Sequence, residues 1–238
     1  MPYLLRILCT GLGLILLPIS VLAAEVDVVV YGATPAGIAA AIGAARENCT
    51  VRLIEPTGRI GGLITNGLSH TDLRTFEGLN GSFLEFAQRV ERHYGEQYGD
   101  DAPQVRECWR GVFGEPKVNL LVYQQMLAEY PAIETVLGQS LERVQLSDPG
   151  PTGSYRIESI TLLDAAGAEQ TYSAAVFIDG TYEGDLLALA GVPWRVGREG
   201  REMFCESLAP AEPDGELQAY NFRFVMTKDP ANRVTPTA

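Results

Sequence analysis

The stretch VDVVVYGATPAGIAAAIGAARENCTVRLIE, residues 26–55, decides the fold. Its opening run, Val26–Tyr31, is apolar and rich in β-branched residues, which predicts a strand buried on both faces. Thr34 is suited to cap a helix, and Pro35 to open the first helical turn, where its missing N–H costs nothing. A second strand at Val51–Ile54 completes a βαβ unit, in which the two strands run parallel.

The turn between this first strand and the helix predicts a dinucleotide site. Helix N-termini offer free N–H groups and a positive dipole end to a pyrophosphate. Thr34 stands where a dinucleotide fingerprint has its middle glycine, and we expect its hydroxyl to replace part of the lost phosphate contact. Glu55 ends the second strand, where an acid accepts hydrogen bonds from ribose hydroxyls. A βαβ unit that binds nothing is the alternative. The predicted pyrophosphate site comprises Gly32, Ala33, Thr34, Pro35, Ala36 and Gly37.

Composition argues against several other kinds of protein. The net charge is −12 and the chain has only two lysines, whereas nucleic acids and anionic membranes need a basic partner surface. With two histidines and no Cys-x-x-Cys pair, we expect no metal site. Beyond the first 24 residues the cysteines are Cys49, Cys108 and Cys205, an odd number that permits at most one disulfide among them.

The N-terminal segment, residues 1–24, predicts a secretory signal peptide. One early cation is followed by a short apolar run that Pro18 interrupts and that ends in small residues. We expect cleavage after Ala23 or Ala24, a secreted or periplasmic mature chain and no stable membrane insertion. A retained membrane anchor is the alternative, although the run is shorter than the ~20 residues that a membrane span needs.

The rest of the chain predicts an alternation of helices and strands. Ser82 and Asn119 are the expected caps of two helices inside a helical insertion at about residues 70–131. A hairpin is expected across Asp164–Gly167, and a last helix at Leu186–Ala190. The predicted strands are Ile133–Leu137, Leu141–Leu146, Tyr155–Leu163, Glu169–Tyr172 and Ala174–Ile178.

Four blocks of sequence resemble one known family. They are YGATPAGIAAA (31–41), GRIGGLITNGLSHTDLRTFEG (58–78), IDGTYEGDLLALAGVPWRVGREG (178–200) and AYNFRFVMTKDPANRV (219–234). The chain resembles the FAD-dependent oxidoreductase family, which has the glutathione-reductase type of FAD-binding fold and includes exported bacterial proteins, some labelled xanthan lyase. The resemblance implies an α/β fold: an FAD/NAD(P)-binding Rossmann-like domain with a parallel sheet, a β-meander and an inserted helical segment.

The resemblance also implies the cofactor and its contacts. FAD is the expected cofactor, and the loop with the glycine pair Gly61 and Gly62 is expected to contact its ribityl–flavin part. A later turn is expected to lie against FAD. The remaining implied cofactor residues are Arg59, Leu141, Gly180, Gly184 and Asp185.

The chain departs from the family pattern in two respects. Members usually read Ala-Thr-Gly-Asp at the later turn, where this chain reads GTYEGD (180–185). Members are also longer, so the chain resembles their N-terminal half. We expect an FAD-binding domain at 25–191 and the start of a truncated substrate domain at 192–238. A non-catalytic remnant and an NAD-binding protein that uses only the first βαβ unit remain as alternatives.

His70 and Arg74 are the candidate catalytic residues. They follow the glycine pair on a loop that, by the resemblance, passes near the flavin. A histidine there can move protons, and Arg74 can orient a carboxylate or hydroxyl group. The alternative is that His70 and Asp72 only order the loop. The expected partners are an organic small-molecule substrate, for which a carbohydrate derivative is one candidate, and an unidentified electron acceptor.

Overall fold

The computed structural model describes residues 26–68, 70–218 and 227–234. The predicted signal peptide and part of the last resemblance block lie outside these residues. The strands are β1 (Val26–Tyr31), β2 (Val51–Glu55), β3 (Ile133–Leu137), β4 (Ser140–Leu146), β5 (Ile157–Leu163) and β6 (Glu169–Asp179). The helices are α1 (Pro35–Arg46), α2 (Gly81–Tyr98), α3 (Pro103–Glu107), α4 (Pro116–Ala128), α5 (Asp185–Leu189) and α6 (Arg201–Phe204).

The strands form one sheet in the order β3-β2-β1-β6-β5-β4. The first four run parallel to one another, and β5 and β4 extend the sheet from β6 as an antiparallel meander. This is the predicted α/β architecture of an FAD-binding Rossmann-like domain.

Strand β6 belongs to both parts of the sheet. Its first half pairs antiparallel with β5, ending at the pair Ser173–Ser159. Its second half pairs parallel with β1, from Ala174–Val26 to Asp179–Tyr31. The two strands predicted here, Glu169–Tyr172 and Ala174–Ile178, are therefore one continuous strand, because Ser173 keeps extended backbone and no turn residue separates them.

Each face of the parallel strands has its own apolar core. Val30 and Leu53 face the helices and pack in a cluster that includes Ile38 of α1. Val29 and Ile54 face the other way and pack in a second cluster with Ile160 and Leu162 of the meander strand β5. Full burial of such side chains stabilises a fold by about 1.5–3 kcal/mol each. The continuous apolar runs in β1 and β2 are explained by this two-sided burial.

The predicted caps of the two insertion helices are wrong. Helix α2 begins at Gly81, so that Ser82 lies inside the helix and Asn80 occupies the cap position. Helix α4 begins at Pro116, which suits a first helical turn and places Asn119 inside the helix. The Asn119 side-chain amide donates to the backbone oxygens of Ile64 and Gly114, each at 3.0 Å. Asn119 therefore ties the loop after the glycine pair to α4.

The predicted hairpin is confirmed between β5 and β6. Asp164 accepts backbone N–H bonds from Ala166 and Ala168 at 2.8 Å each, an arrangement typical of an aspartate-initiated turn. The first hairpin strand starts at Ile157 and not at Tyr155. Within the described ranges, no helix combines the length and apolar character needed to cross a membrane.

Candidate functional site

The turn between β1 and α1 allows three backbone segments to meet. Gly32 has a φ of +96°, a conformation that favours glycine. A β-carbon on Gly37 would come within 1.9 Å of the Gly32 oxygen. A β-carbon on Gly180, after β6, would lie 2.6 Å from the same oxygen. These contacts require three glycines, two from the predicted turn and one from the later turn.

Thr34 joins this contact with its hydroxyl group. The Thr34 Oγ1 donates to the Gly180 oxygen at 2.5 Å and accepts the Gly37 N–H at 3.3 Å, and the side chain is buried. It is the predicted N-cap of α1. The hydroxyl thus binds protein groups on both sides, where the sequence suggested that it would face a phosphate.

Glu55 is buried at the end of β2 and is held by backbone donors. One carboxylate oxygen accepts the Ala33 N–H at 2.9 Å, and the other accepts the N–H and hydroxyl of Thr57 at 3.0 and 2.7 Å. These bonds aim the carboxylate beside the fingerprint turn. A carboxylate oxygen has two lone pairs, so the group keeps acceptor capacity for a ribose hydroxyl.

The glycine pair, Gly61 and Gly62, packs directly on the turn between β1 and α1. The Gly61 N–H donates to the Ala33 oxygen at 2.7 Å, and both Gly61 and Gly62 have positive φ. Tyr182 approaches from the later turn, and its hydroxyl accepts the Leu63 N–H at 3.1 Å. A β-carbon on Gly62 would lie 2.4 Å from that hydroxyl oxygen. The second glycine of the pair is therefore needed for the tyrosine to reach across.

Asp179 shapes the later turn. Its carboxylate accepts the N–H and hydroxyl of Thr181, at 2.9 and 2.7 Å, and the N–H of Leu187 in α5 at 2.9 Å. Gly184 has a φ of +78° and precedes Asp185, the first residue of α5. Asp179 therefore fixes the loop that carries Tyr182 and Asp185.

These segments enclose a groove of about 240 Å³. The predicted residues Gly32, Thr34, Glu55, Arg59, Gly62 and Asp185 all line it. Ala33 is fully buried behind the turn, and Gly180 lies against the backbone of Gly32. The groove is also lined by residues that no sequence motif marks as site residues: Pro56, Thr57, Leu63, Asn66, Thr181, Tyr182 and Glu183.

Two tyrosines beside the groove have raised pKa values. Burial raises the pKa of Tyr182, and the negative charges of Glu183 and Glu55 raise it further. Burial also raises the pKa of Tyr31, whose hydroxyl accepts the Leu141 N–H at 2.9 Å. Leu141 packs with the meander-side core, so the structure places it next to Tyr31 and outside the lining of the groove.

His70 and Arg74 lie in a different depression. The His70 ring stacks on Phe113 with centroids 3.9 Å apart and an angle of 18° between the planes. Both residues line an open concavity of about 720 Å³, which shares no lining residue with the groove. The predicted cofactor residues that line the groove and the two predicted catalytic residues thus lie in separate depressions of the described chain.

Comparison with known proteins identifies the family. The profile described as FAD dependent oxidoreductase matches residues 27–238. The chain belongs to this family. No curated protein matches the sequence.

Solved structures with a related shape have low sequence identity. They include the 3-ketosteroid-Δ4-(5α)-dehydrogenase of Rhodococcus jostii RHA1 (16% identity, 68% of this chain and 47% of that chain, TM-score 0.41). Thermovibrio ammonificans THI4 gives 16% identity over 79% of this chain and 76% of that chain, with a TM-score of 0.45. The bacillithiol disulfide reductase Bdr (YpdA) of Bacillus cereus gives 17% identity over 66% of this chain and 39% of that chain, with a TM-score of 0.43. The chain thus spans less than half of the dehydrogenase and of the reductase. The family assignment rests on the profile match.

Proposed function

We propose that this chain binds FAD along the groove and acts in the oxidation of an organic substrate. When bound, FAD supplies the two-electron acceptor of an oxidation. The observation that carries the proposal is the convergence of the fingerprint turn, Glu55, the glycine pair and Asp185 on one groove. At about 240 Å³ the groove suits the middle of the dinucleotide, so that the adenine and flavin ends extend beyond it.

The contacts to the pyrophosphate follow from the hydrogen bonds already made. The Gly32 N–H donates to the Ile54 oxygen, the Ala33 N–H to Glu55 and the Gly37 N–H to Thr34. Pro35 has no N–H. In the described part of the chain, the N–H groups of Thr34 and Ala36 are the ones that the turn leaves for a phosphate, and Arg59 is the cationic side chain in the lining.

The other cofactor contacts are assigned by position in the groove. Glu55 would accept a hydrogen bond from the adenosine ribose. Asp185 would accept from the ribityl hydroxyls, and Gly62 would border the cofactor together with Tyr182, which occupies the space beside it. Tyr182 crosses from the later turn to Leu63 and is part of the lining of the groove.

The visible absorbance spectrum of the purified chain tests the cofactor proposal. We expect a stoichiometric flavin spectrum, or uptake of added FAD, with FAD and not FMN released on denaturation. A colourless chain that takes up no added FAD would contradict the proposal. The riboflavin moiety alone is the matched probe, because it lacks the pyrophosphate and adenosine that the turn and Glu55 are proposed to hold.

For the oxidation step we propose His70 as the group that moves a proton and Arg74 as the group that orients the substrate. Support comes from their place on the loop after the glycine pair and from their shared concavity. Once a substrate is found, His70→Gln is expected to lower kcat and change its pH profile. His93→Gln is the control, since His93 lies on α2 away from this concavity. Equal effects of the two variants would contradict the role.

We also propose that the chain is exported and that residues 1–24 are removed. The support is the short apolar run ending in small residues before Glu25. Expression of the full chain in a bacterial host, followed by N-terminal sequencing of the periplasmic fraction, tests this. A mature chain beginning at Ala24 or Glu25 is expected, and an intact N-terminus in every fraction would contradict it.

A further inference from the structure

The concavity around His70 has a wall made of aromatic rings. Phe113 stands at its centre, with the His70 ring stacked on it and the Trp109 ring tilted against it at a centroid distance of 5.0 Å and an angle of 32°. Trp109 keeps 37% of its surface exposed. Exposed aromatic faces in a concave surface are apolar platforms for a ring-shaped ligand.

The backbone that presents Trp109 is strained. Trp109 and Arg110 are consecutive non-glycine residues with φ values of +43° and +57°. Such conformations cost of order 1–2 kcal/mol per residue and persist where surrounding contacts determine them. Here the Arg110 guanidinium lies 3.5 Å from the centroid of the Phe76 ring and forms a 3.0 Å ion pair with Glu77. These contacts hold the strained turn and, with it, the tryptophan in the lining of the concavity.

The charged side chains that line the concavity, called here the charged rim, are two cations and two anions. Arg74 and Arg106 only donate hydrogen bonds, whereas Asp72 and Glu107 only accept them when ionised. Among the described residues, no ion pair joins these four side chains to one another. Their formal charges cancel, so the rim does not select for an anion or a cation. A ligand with several hydroxyl groups satisfies both kinds of side chain, because each hydroxyl donates and accepts.

We propose that this concavity is a saccharide-binding site. The C–H face of a sugar ring would lie on the exposed Trp109 ring, and its hydroxyls would meet the charged rim. The binding itself is independent of the cofactor. Only the further role of the saccharide as the oxidised substrate rests on the proposed function.

The two tryptophans of the chain make the test direct. Trp194→Phe leaves Trp109 as the only tryptophan, and Trp194 is 64% exposed, so that the substitution removes little buried surface. Cellobiose, maltose and lactose are titrated into this variant while tryptophan emission is recorded. We expect a saturable change with at least one of the three disaccharides. Trp109→Phe, which leaves only Trp194, is the matched control and should give no saturable change.

Binding-site variants separate specific from general effects. In the Trp194→Phe background, Arg74→Gln and Asp72→Asn are each expected to weaken saccharide binding roughly tenfold, because each loses a charge-assisted hydrogen bond. Lys117→Gln, outside the lining, should bind as the parent does. Circular dichroism of each variant confirms that it is folded.

Three outcomes would overturn the proposal. The first is no saturable change in tryptophan emission of the Trp194→Phe variant with any of the disaccharides. The second is a saturable change of equal size in the Trp109→Phe control. The third is a change in the Trp194→Phe variant with the planar anion benzoate and with none of the disaccharides. The first two would show no ligand at Trp109, and the third would make the site one for ring-bearing anions. FAD uptake is measured separately by flavin absorbance, so a failure of the cofactor proposal would leave the saccharide result interpretable, and the reverse also holds.

Discussion

The Thr34 hydroxyl donates to the Gly180 oxygen at 2.5 Å and so joins two turns that lie 146 residues apart in the chain. The Thr34 hydroxyl oxygen also caps α1 by accepting the Gly37 N–H. The residue that replaces the middle glycine of the fingerprint is thus the one that connects the first turn to the end of β6.

The Thr34 contact predicts a stability change. Thr34→Val keeps the branched shape but removes both hydrogen bonds, so we expect the free energy of unfolding to fall by about 1–2 kcal/mol. Urea denaturation followed by circular dichroism measures it. Thr34→Ser retains the hydroxyl and serves as the control. Equal stability of the valine and serine variants would show that the hydroxyl contributes nothing.

Substitution by alanine is expected to have opposite effects on stability at the two glycines of α1. A β-carbon on Gly37 would lie 1.9 Å from the Gly32 oxygen, whereas one on Gly43 would meet no atom within 4 Å. Gly37→Ala should lower stability by roughly 1–3 kcal/mol through overpacking and should also weaken FAD binding. Gly43→Ala should raise stability by about 0.5–1 kcal/mol, because alanine favours a helix interior. Thermal and urea unfolding of both variants measure the difference, and destabilisation by Gly43→Ala of the size expected for Gly37→Ala would contradict it.

Substitution of Glu55 is expected to lower the affinity for FAD. In Glu55→Gln the new amide donor must face the Ala33 N–H or the Thr57 donors, and an acceptor for the ribose is lost. We expect the Kd for FAD to rise at least roughly tenfold, equivalent to about 1.4 kcal/mol. Quenching of flavin fluorescence measures the affinity.

Glu183→Gln is the control for this result. It removes a negative charge from the same groove without disturbing the carboxylate next to Ala33. Removing a negative charge near the pyrophosphate should leave affinity equal or higher. If both variants bind FAD as the parent does, Glu55 has no part in the site.

The raised pKa of Tyr94 predicts that the free energy of unfolding falls at alkaline pH. Burial raises the pKa of Tyr94 to about 12, above the ordinary value of about 10. Its hydroxyl accepts the Glu115 N–H at 2.9 Å. Between pH 10 and 12 the unfolded chain loses this proton while the folded chain retains it, so stability is complete below about pH 10 and falls as pH rises towards 12.

Tyr94→Phe should therefore show a shallower loss of stability than the parent when urea unfolding is compared at pH 8 and pH 11. Tyr155→Phe is the control, since Tyr155 is 59% exposed. We expect its loss to match that of the parent. A parent-like slope in Tyr94→Phe would show that this hydroxyl does not couple folding to pH.

The parts of the fold that local sequence determines were predicted well. The apolar run of β1, the capping Thr34 and the turn glycine Gly32 lie within a few residues of one another, and each signals its element through its own backbone preference. The start of α4 is predicted incorrectly, because Pro116 and Asn119 are both start signals three residues apart. Asparagine predicts a cap, whereas the proline begins the helix and the asparagine side chain binds another loop.

The contacts that complete the candidate site could not be predicted from local patterns. Tyr182 reaches Leu63 across 119 residues of sequence, and Gly61 meets Ala33 through backbone atoms only. Backbone contacts leave no side-chain signature except the glycines that permit them. The separation of His70 from the groove also depends on how the loop after the glycine pair packs on Phe113, a residue of the helical insertion.

Because β6 is continuous, its pairing with the meander strand β5 determines where Gly180 lies relative to Gly32. From the pair Ser173–Ser159 to the pair Asp179–Tyr31 the strand is uninterrupted, and Gly180 follows it immediately. A slip of one residue in the antiparallel half would displace Gly180 by about 3.3 Å from Gly32 and turn every side chain of the strand to the opposite face. Length changes in the loop between β5 and β6 leave this distance intact, whereas a residue inserted between Ser173 and Asp179 alters it. We therefore expect the hairpin loop to tolerate insertions and deletions, and the span from Ser173 to Asp179 not to tolerate them.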